Sequence, residues 1–240
     1  GAEDLDFWRG RRVWVGLDLS QSDDNTSVAM VTEADGMIHA KVWGILPKDR
    51  IEIKTKKENV DYRKLIAAGS CFAEGEEVID YGFVERWILG LEEKYGVEVM
   101  QVGYDRYNAI STVQKLEANS MECVEVKQHS SVLHPPTKLL REAILKKEFA
   151  YDENRLLEIN FQNARCTEDT NLNKYVNKKR SAGKVDMVVS TIIAVYLMQQ
   201  AMLDNSPYTN KGTNIVRLTS FGDSSINILI SAYLTTNVYD

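Results

Sequence analysis

Three aspartates in this chain stand where a buried sheet would place chemistry. Asp18 ends the apolar run Val13, Trp14, Val15, Gly16, Leu17, which reads as a strand buried on both faces. Asp105 follows a second strand-like run, VEVMQVG (97–103). Asp186 sits in the first turn of the longest helical pattern, 185–203, where the helix dipole favours a carboxylate. A charge at the end of a buried strand is costly unless something pairs with it. If the loop 21–25 turns the chain back beside the first strand, it adds Asp23 and Asp24 to the same end. Acids that converge in this way repel one another, and a divalent cation bound through oxygen neutralises them. Two such cations about 4 Å apart activate a water and stabilise a leaving oxygen, as phosphodiester cleavage requires.

Each acid also has a plain structural reading. Asp18 can cap a strand, and Asp23 and Asp24 can be ordinary turn residues. Asp105 can be a helix N-cap, and Asp186 a first-turn acid and nothing more. Their shared placement in this element order favours the site.

The elements that must position them follow in chain order. Runs at 13–18, 26–31 and 37–46, the last two joined by an Ala34-Asp35-Gly36 turn, predict an antiparallel three-strand meander. Strand 97–103, a helix over 108–118 and strand 121–126 predict a parallel crossover. If the first strand lies beside the 97–103 strand, Asp18 and Asp105 share one sheet edge. The final helix, with Val188, Val189, Ile192, Ile193, Tyr196 and Leu197 on its apolar face, then crosses that edge and carries Asp186 to it. Residues 47–59 are charged and faceless, which predicts an exposed excursion. Short helices are expected at 61–68 and 154–164, and a longer one at 81–95. Pro135-Pro136 should open a helix over 137–147. Residues 167–180 read as a surface hairpin or loop, and 226–234 as β-prone. The expected division is a lead-in at 1–12, one domain at 13–203, and a tail at 204–240 of no assigned role.

Composition narrows the chemistry. The chain of 240 residues is 44% apolar and 27% charged, typical of a globular protein, and no run reaches a membrane-spanning length. Gly1–Asp6 is acidic and lacks a signal-peptide pattern, and Gly1 in place of Met suggests that the natural protein extends upstream. Cys71, Cys123 and Cys166 are widely spaced and unpaired by motif, and only three histidines are present, so any metal should have oxygen ligands. A net charge of −6 argues against general nucleic-acid coating. One basic strip stands out: Lys174, Lys178, Lys179, Arg180 and Lys184 lie in a stretch without an acid. Such a run is either a solvated face or a phosphate-binding surface.

Four segments carry a family resemblance: VGLDLSQSDDNTSVAMV (15–31), YDRYNA (104–109), HPPTKLLREAI (134–144) and NKKRSAGKVDMVVSTIIA (177–194). In this order and spacing the chain resembles the C-terminal nuclease domain of the large terminase subunit of tailed bacteriophages, an RNase H-like fold. The resemblance implies an α/β fold: an RNase H-like mixed sheet, the meander plus parallel strands, flanked by helices. It also implies Asp18, Asp105 and Asp186 as catalytic ligands of two Mg2+ or Mn2+ ions, with Asp23 or Asp24 helping to hold the second. Many family members read YDPWNA where this chain has YDRYNA, and the acid and the Asn are kept. The function implied is cutting of concatemeric double-stranded viral DNA during genome packaging in the cytoplasm of an infected bacterium. The implied partners are duplex DNA, an ATPase domain, the small terminase subunit and the capsid portal, with no membrane. Lys174, Lys178, Lys179, Arg180 and Lys184 would hold the phosphate backbone. No G-x-x-x-x-G-K-[ST] segment is present, so these residues cannot hydrolyse ATP by that route.

Two other readings stay open. GLDLS also suits an actin-like phosphotransferase, but that fold needs Gly-rich phosphate loops, and Gly183 is the only glycine between Gly103 and Gly212. A non-catalytic DNA- or portal-docking module has no need for the three acids to meet.

Overall fold

Strand β1 (Arg12–Asp18) runs through the middle of a seven-stranded sheet, and every residue from Val13 to Asp18 is buried. The computed structural model describes residues 5–204 and the backbone of two further strands, 215–221 and 226–231. Along the sheet the order is β4 (Cys71–Ala73), β3 (Met37–Leu46), β2 (Thr26–Ala34), β1, β5 (Glu98–Tyr104) and β6 (Cys123–Glu125), while β7 (Phe149–Tyr151) also pairs with β3. Strands β1 to β3 are the expected antiparallel meander, and β1–β5 and β5–β6 are the expected parallel pairs. Asp35 and Gly36 both take positive φ at the β2–β3 turn, the backbone a tight hairpin needs. This is the mixed sheet flanked by helices that the sequence implied.

Helices cover both faces of the sheet. On one side lie α3 (Tyr62–Ala67), α7 (Ser130–Leu145), α8 (Arg155–Asn163) and α9 (Asp186–Leu203), with Trp14, Val31, Leu140, Leu157 and Ile193 in their shared core. On the other lie α1 (Leu5–Trp8), α4 (Tyr81–Leu89), α5 (Leu91–Tyr95) and α6 (Ile110–Ala118), around Val15, Leu17, Ile88 and Leu116. The double cover explains why β1 reads as a continuous apolar run rather than an alternating one. α9 is long and apolar enough to cross a membrane by composition, but 78% of it is buried in this fold. Its apolarity is that of a central core helix.

Three local expectations differ from the structure. Residues 47–59 are mostly exposed, as expected, but are not irregular: a 3-10 turn (Lys48–Arg50) leads into α2 (Ile51–Glu58). The buried side chain of α2 is Lys54, so an inward face carried by a charge leaves no apolar period to read. α7 begins at Ser130, ahead of Pro135 and Pro136. The two prolines fall in its second turn, where they forgo the amide donors to the preceding turn without ending the helix. The helix over 81–95 is broken at Gly90 into α4 and α5. The three-residue edge strands β4 and β7 carry no pattern long enough to detect.

The 167–180 segment is a hairpin, β8 (Cys166–Glu168) with β9 (Lys174–Val176), separate from the main sheet. In the tail the backbone of β10 (Ile215–Phe221) pairs with β11 (Ile226–Ser231), and the remainder of the expected 226–234 strand lies outside the described residues.

Candidate active site

Strand register places the first two acids side by side. Leu17 of β1 pairs with Tyr104 of β5, so Asp18 and Asp105 are the next residues of two parallel neighbours. Asp18 is buried at 7% exposure, whereas Asp105 is half-buried at the mouth of a cleft of about 440 Å3 lined also by Asp18, Thr137 and Lys178.

Asp186 arrives from the far end of the chain because α9 lies directly on β1 and β5. A Cβ on Gly16 would fall 1.9 Å from the Ser190 carbonyl oxygen and 2.7 Å from the Ala194 amide nitrogen. Gly103, paired with Gly16 across β1–β5, would bring a Cβ to 2.7 Å from Ile193 and 2.9 Å from Leu197. The two glycines form a seat that lets the helix backbone touch the sheet. Ser27 and Ser190 share a buried hydroxyl–hydroxyl hydrogen bond at 2.7 Å, tying β2 to the helix. The start of α9 is held from α8: Met187 N donates to Asn160 Oδ1 at 3.1 Å, and Asn163 Nδ2 donates to the Lys184 carbonyl at 3.0 Å. The first supplies an acceptor to one of the amide donors that a helix start leaves unpaired.

At the sheet edge a lysine from the basic strip joins the acids. Lys178 Nζ donates to Asp18 Oδ2 at 2.8 Å and lies 3.7 Å from Asp186 Oδ1. The other Asp186 oxygen, Oδ2, is buried with no hydrogen-bond partner. Burial pushes Asp18 upward, with Lys178 opposing and Asp24 and Asp105 adding to it. Burial and the Asp18 charge together push Asp186 up to about 7. Lys178 is raised: burial works against its charge, but Asp18 and Asp186 outweigh it. Asp24 is partly buried yet lowered, because Lys184 forms an ion pair with it that outweighs the burial.

A second layer fixes the loop beside Asp18. Lys54 Nζ donates to the Asp23 carbonyl at 2.8 Å and to Glu58 Oε1 at 2.6 Å. Tyr62 Oη donates to Glu58 Oε2 at 2.5 Å and accepts from Asn25 Nδ2 at 3.1 Å. From the opposite layer Tyr81 Oη donates to the Ser20 carbonyl at 3.0 Å. The charged segment that sequence leaves without a role therefore braces the acidic loop.

The structure brings Asp18 and Asp186 to the Lys178 ammonium and leaves Asp105 at the neighbouring strand end, lining the same cleft, so the expected convergence of all three carboxylates is not reached. Asp23 is exposed and engages Lys54 through its backbone, while Asp24 faces Lys184. Among the described residues, no group of three or more His, Cys, Asp or Glu side chains stands close enough to hold a metal. The basic strip is divided: Lys178, though 43% exposed, and Lys184 pair with acids of the site, Lys174 pairs at the surface with Glu168, and Lys179 and Arg180 are exposed. Reading the strip as one outward face missed this, because it takes the fold to bring Asp18 and Asp24 beneath it. Gly16, Gly103 and Asn160 were also missed. The glycines sit one residue before Leu17 and Tyr104, but nothing in either strand alone shows that a helix must touch it.

A family model described as the endonuclease domain of the terminase large subunit matches residues 3–202. The large terminase subunit of Enterobacteria phage HK97 is 23% identical over 193 residues, which cover 77% of this chain and 37% of that protein. The crystal structure of the HK97 large terminase superposes with a TM-score of 0.71 at 21% identity, covering 81% of this chain and 42% of that one. The large terminase nuclease of the thermophilic phage G20c, crystallised with magnesium, gives a TM-score of 0.48 at 13% identity, covering 80% of this chain and 94% of that one. This chain spans well under half the length of the HK97 subunit. The family match over most of the chain, on the sheet and helices that carry Asp18, Asp105 and Asp186, establishes that it belongs to the terminase large subunit endonuclease-domain family.

Proposed function

We propose that this domain is a divalent-metal-dependent endonuclease that cuts concatemeric double-stranded viral DNA during genome packaging. The observation that carries the reading is the meeting of Asp18 and Asp186 around a single cationic group. Lys178 Nζ lies 2.8 Å and 3.7 Å from their oxygens, and a buried Asp186 oxygen is left without a partner. Two buried carboxylates with a spare oxygen fit a hard cation such as Mg2+ or Mn2+, for which oxygen ligands are the rule. When bound, a pair of such ions supplies a water-derived nucleophile and stabilises the leaving oxygen.

The chain's own residues then have distinct tasks. Asp18 and Asp186 would hold a first ion, with Asp105, which lines the same cleft, as a further oxygen donor. Asp24 is the nearer of the two loop acids for a second ion, once Lys184 releases it. Lys174, Lys179 and Arg180 meet phosphates, with Lys178 and Lys184 joining them when the acids take metal. Phosphate contacts position a duplex without reading its sequence, so the isolated domain should cut with little sequence preference. By the same reading the domain works beside an ATPase domain, the small terminase subunit and the portal, in the cytoplasm of the infected host.

Plasmid nicking in Mn2+ tests the reading. Wild type should nick, EDTA should stop it without zinc being needed, and Asp18→Ala should abolish it while circular dichroism stays native. Nicking that survives EDTA, or an Asp18→Ala variant of full activity, would sink the assignment. It would then leave the non-catalytic docking module or the actin-like phosphotransferase as the reading to pursue.

A further inference from the structure

The segment HPPTKLLREAI supplies one wall of a groove that the acid site does not use. α7 and the β8–β9 hairpin face each other across about 770 Å3 of open space. The walls are pinned together at two points. Lys174 N donates to His134 Nδ1 at 2.9 Å, and Ser130 Oγ donates to Asp169 Oδ2 at 2.5 Å. Asp169 in turn organises the hairpin turn, accepting from the amides of Asn171 and Asn173. The groove is therefore a fixed feature of the fold.

Its charge is positive. Lys138 and Arg141, one turn apart on α7, lie on one wall, and Arg165 and Lys174 lie on the other. Two acids oppose these four cations. Glu168 makes an exposed 3.6 Å pair with Lys174, and Glu142 is 3.9 Å from Lys146. The Glu168 pair is exposed, holds weakly and yields to a phosphate, whereas Glu142 is only 17% exposed and stays in the wall. Thr137 lines both this groove and the acid cleft, so the two adjoin at α7. An overall charge of −6 also means that a polyanion needs a local positive track to approach the acids. Lys178 and Lys184, at the acids themselves, are already engaged by carboxylates.

We propose that the groove between α7 and the β8–β9 hairpin carries the phosphate backbone of the DNA strand that runs out of the acid cleft, with Lys138 and Arg141 as its principal contacts. The inference rests on the nuclease reading and adds to it a path for the substrate. These residues touch phosphate and so contribute affinity about equally for all sequences.

The test is a salt titration of binding to a short duplex, with Ca2+ replacing Mg2+ to suppress cutting. The variant is Lys138→Gln/Arg141→Gln. A matched control removes the same charge from the opposite layer, Arg86→Gln/Lys94→Gln. The groove variant should bind roughly tenfold more weakly at moderate salt, and its salt slope should fall by about two counterion units. Lys174→Gln on the other wall should lower the slope by about one. The control should match wild type, and Mn2+ affinity at the acids should be unchanged in all. Wild-type slope and affinity in both the groove variant and Lys174→Gln, or equal losses in groove variant and control, would overturn the groove alone. Wild-type protein that binds no duplex would overturn the nuclease reading and the groove with it.

Discussion

Lys178 and Asp18 stand 160 residues apart in the chain and meet in a 2.8 Å hydrogen bond at the sheet edge. The same ammonium lies 3.7 Å from Asp186, so the chain's own cation sits between the two most buried acids of the site. The Lys178 side chain remains 43% exposed, so its head group can be displaced towards water without moving the fold. A divalent ion bound by these acids, as proposed, would have to take over its role.

Lys178→Met removes this internal cation while keeping the length of the stem. The metal-free protein should lose on the order of 1 kcal/mol, or about 2–4 °C in Tm, since a half-exposed pair is worth little. Mn2+ should bind several-fold more tightly, because no ammonium competes for the carboxylates. Calorimetric Mn2+ titration and thermal melting check both arms. Unchanged Mn2+ affinity would show that Lys178 and the metal do not share the site.

Asp186→Asn should leave the metal-free protein as stable as wild type or more so near pH 8, because it takes a repelling charge out of a buried pair. Mn2+ binding should be lost. A large drop in Tm would mean that the carboxylate has a structural partner after all.

The pH dependence follows from the direction of the Asp186 shift. Burial and Asp18 raise its carboxyl from the usual carboxylate range to about 7. Between those values the folded protein holds more protons than the unfolded chain, so the Asp186 contribution to stability is present at low pH and is lost as pH rises towards 7. Metal needs the ionised form, so Mn2+ affinity should rise over the same interval. The readout is the difference in Tm between wild type and Asp186→Asn, measured from pH 4 to pH 8 in EDTA. A difference that does not move with pH would exclude a raised Asp186.

Gly16→Ala should be among the most damaging conservative changes in the chain. The added methyl would overlap the Ser190 carbonyl at 1.9 Å, so α9 must lift off β1 and carry Asp186 away from Asp18. A loss of about 3 kcal/mol is expected from overpacking against backbone. Residual folded protein should bind Mn2+ poorly. Urea denaturation gives the first quantity and Mn2+ titration the second. A near-neutral effect would show that the helix has room that the structure does not.

Sequence alone determined the β-meander, the parallel crossover, the long last helix, and the placement of Asp18, Asp105 and Asp186 at element ends. These are local matters: hydrophobic period, turn residues and strand length write them into contiguous residues. The family resemblance could be read because three of its four motifs lie on or beside those same elements.

What only the tertiary structure decided is how the charges are partnered. Lys178 and Lys184 look like a DNA-facing strip until the fold brings Asp18, Asp24 and Asp186 beneath them. Lys54 looks like a surface lysine until Glu58 and the Asp23 carbonyl enclose it. Gly16 and Gly103 look like weak points in two strands until α9 rests on both. Burial of a charge depends on partners far away in sequence, and the contact of a helix with a sheet depends on the absence of an atom. Neither leaves a periodic trace along the chain, and so both had to come from the assembled fold.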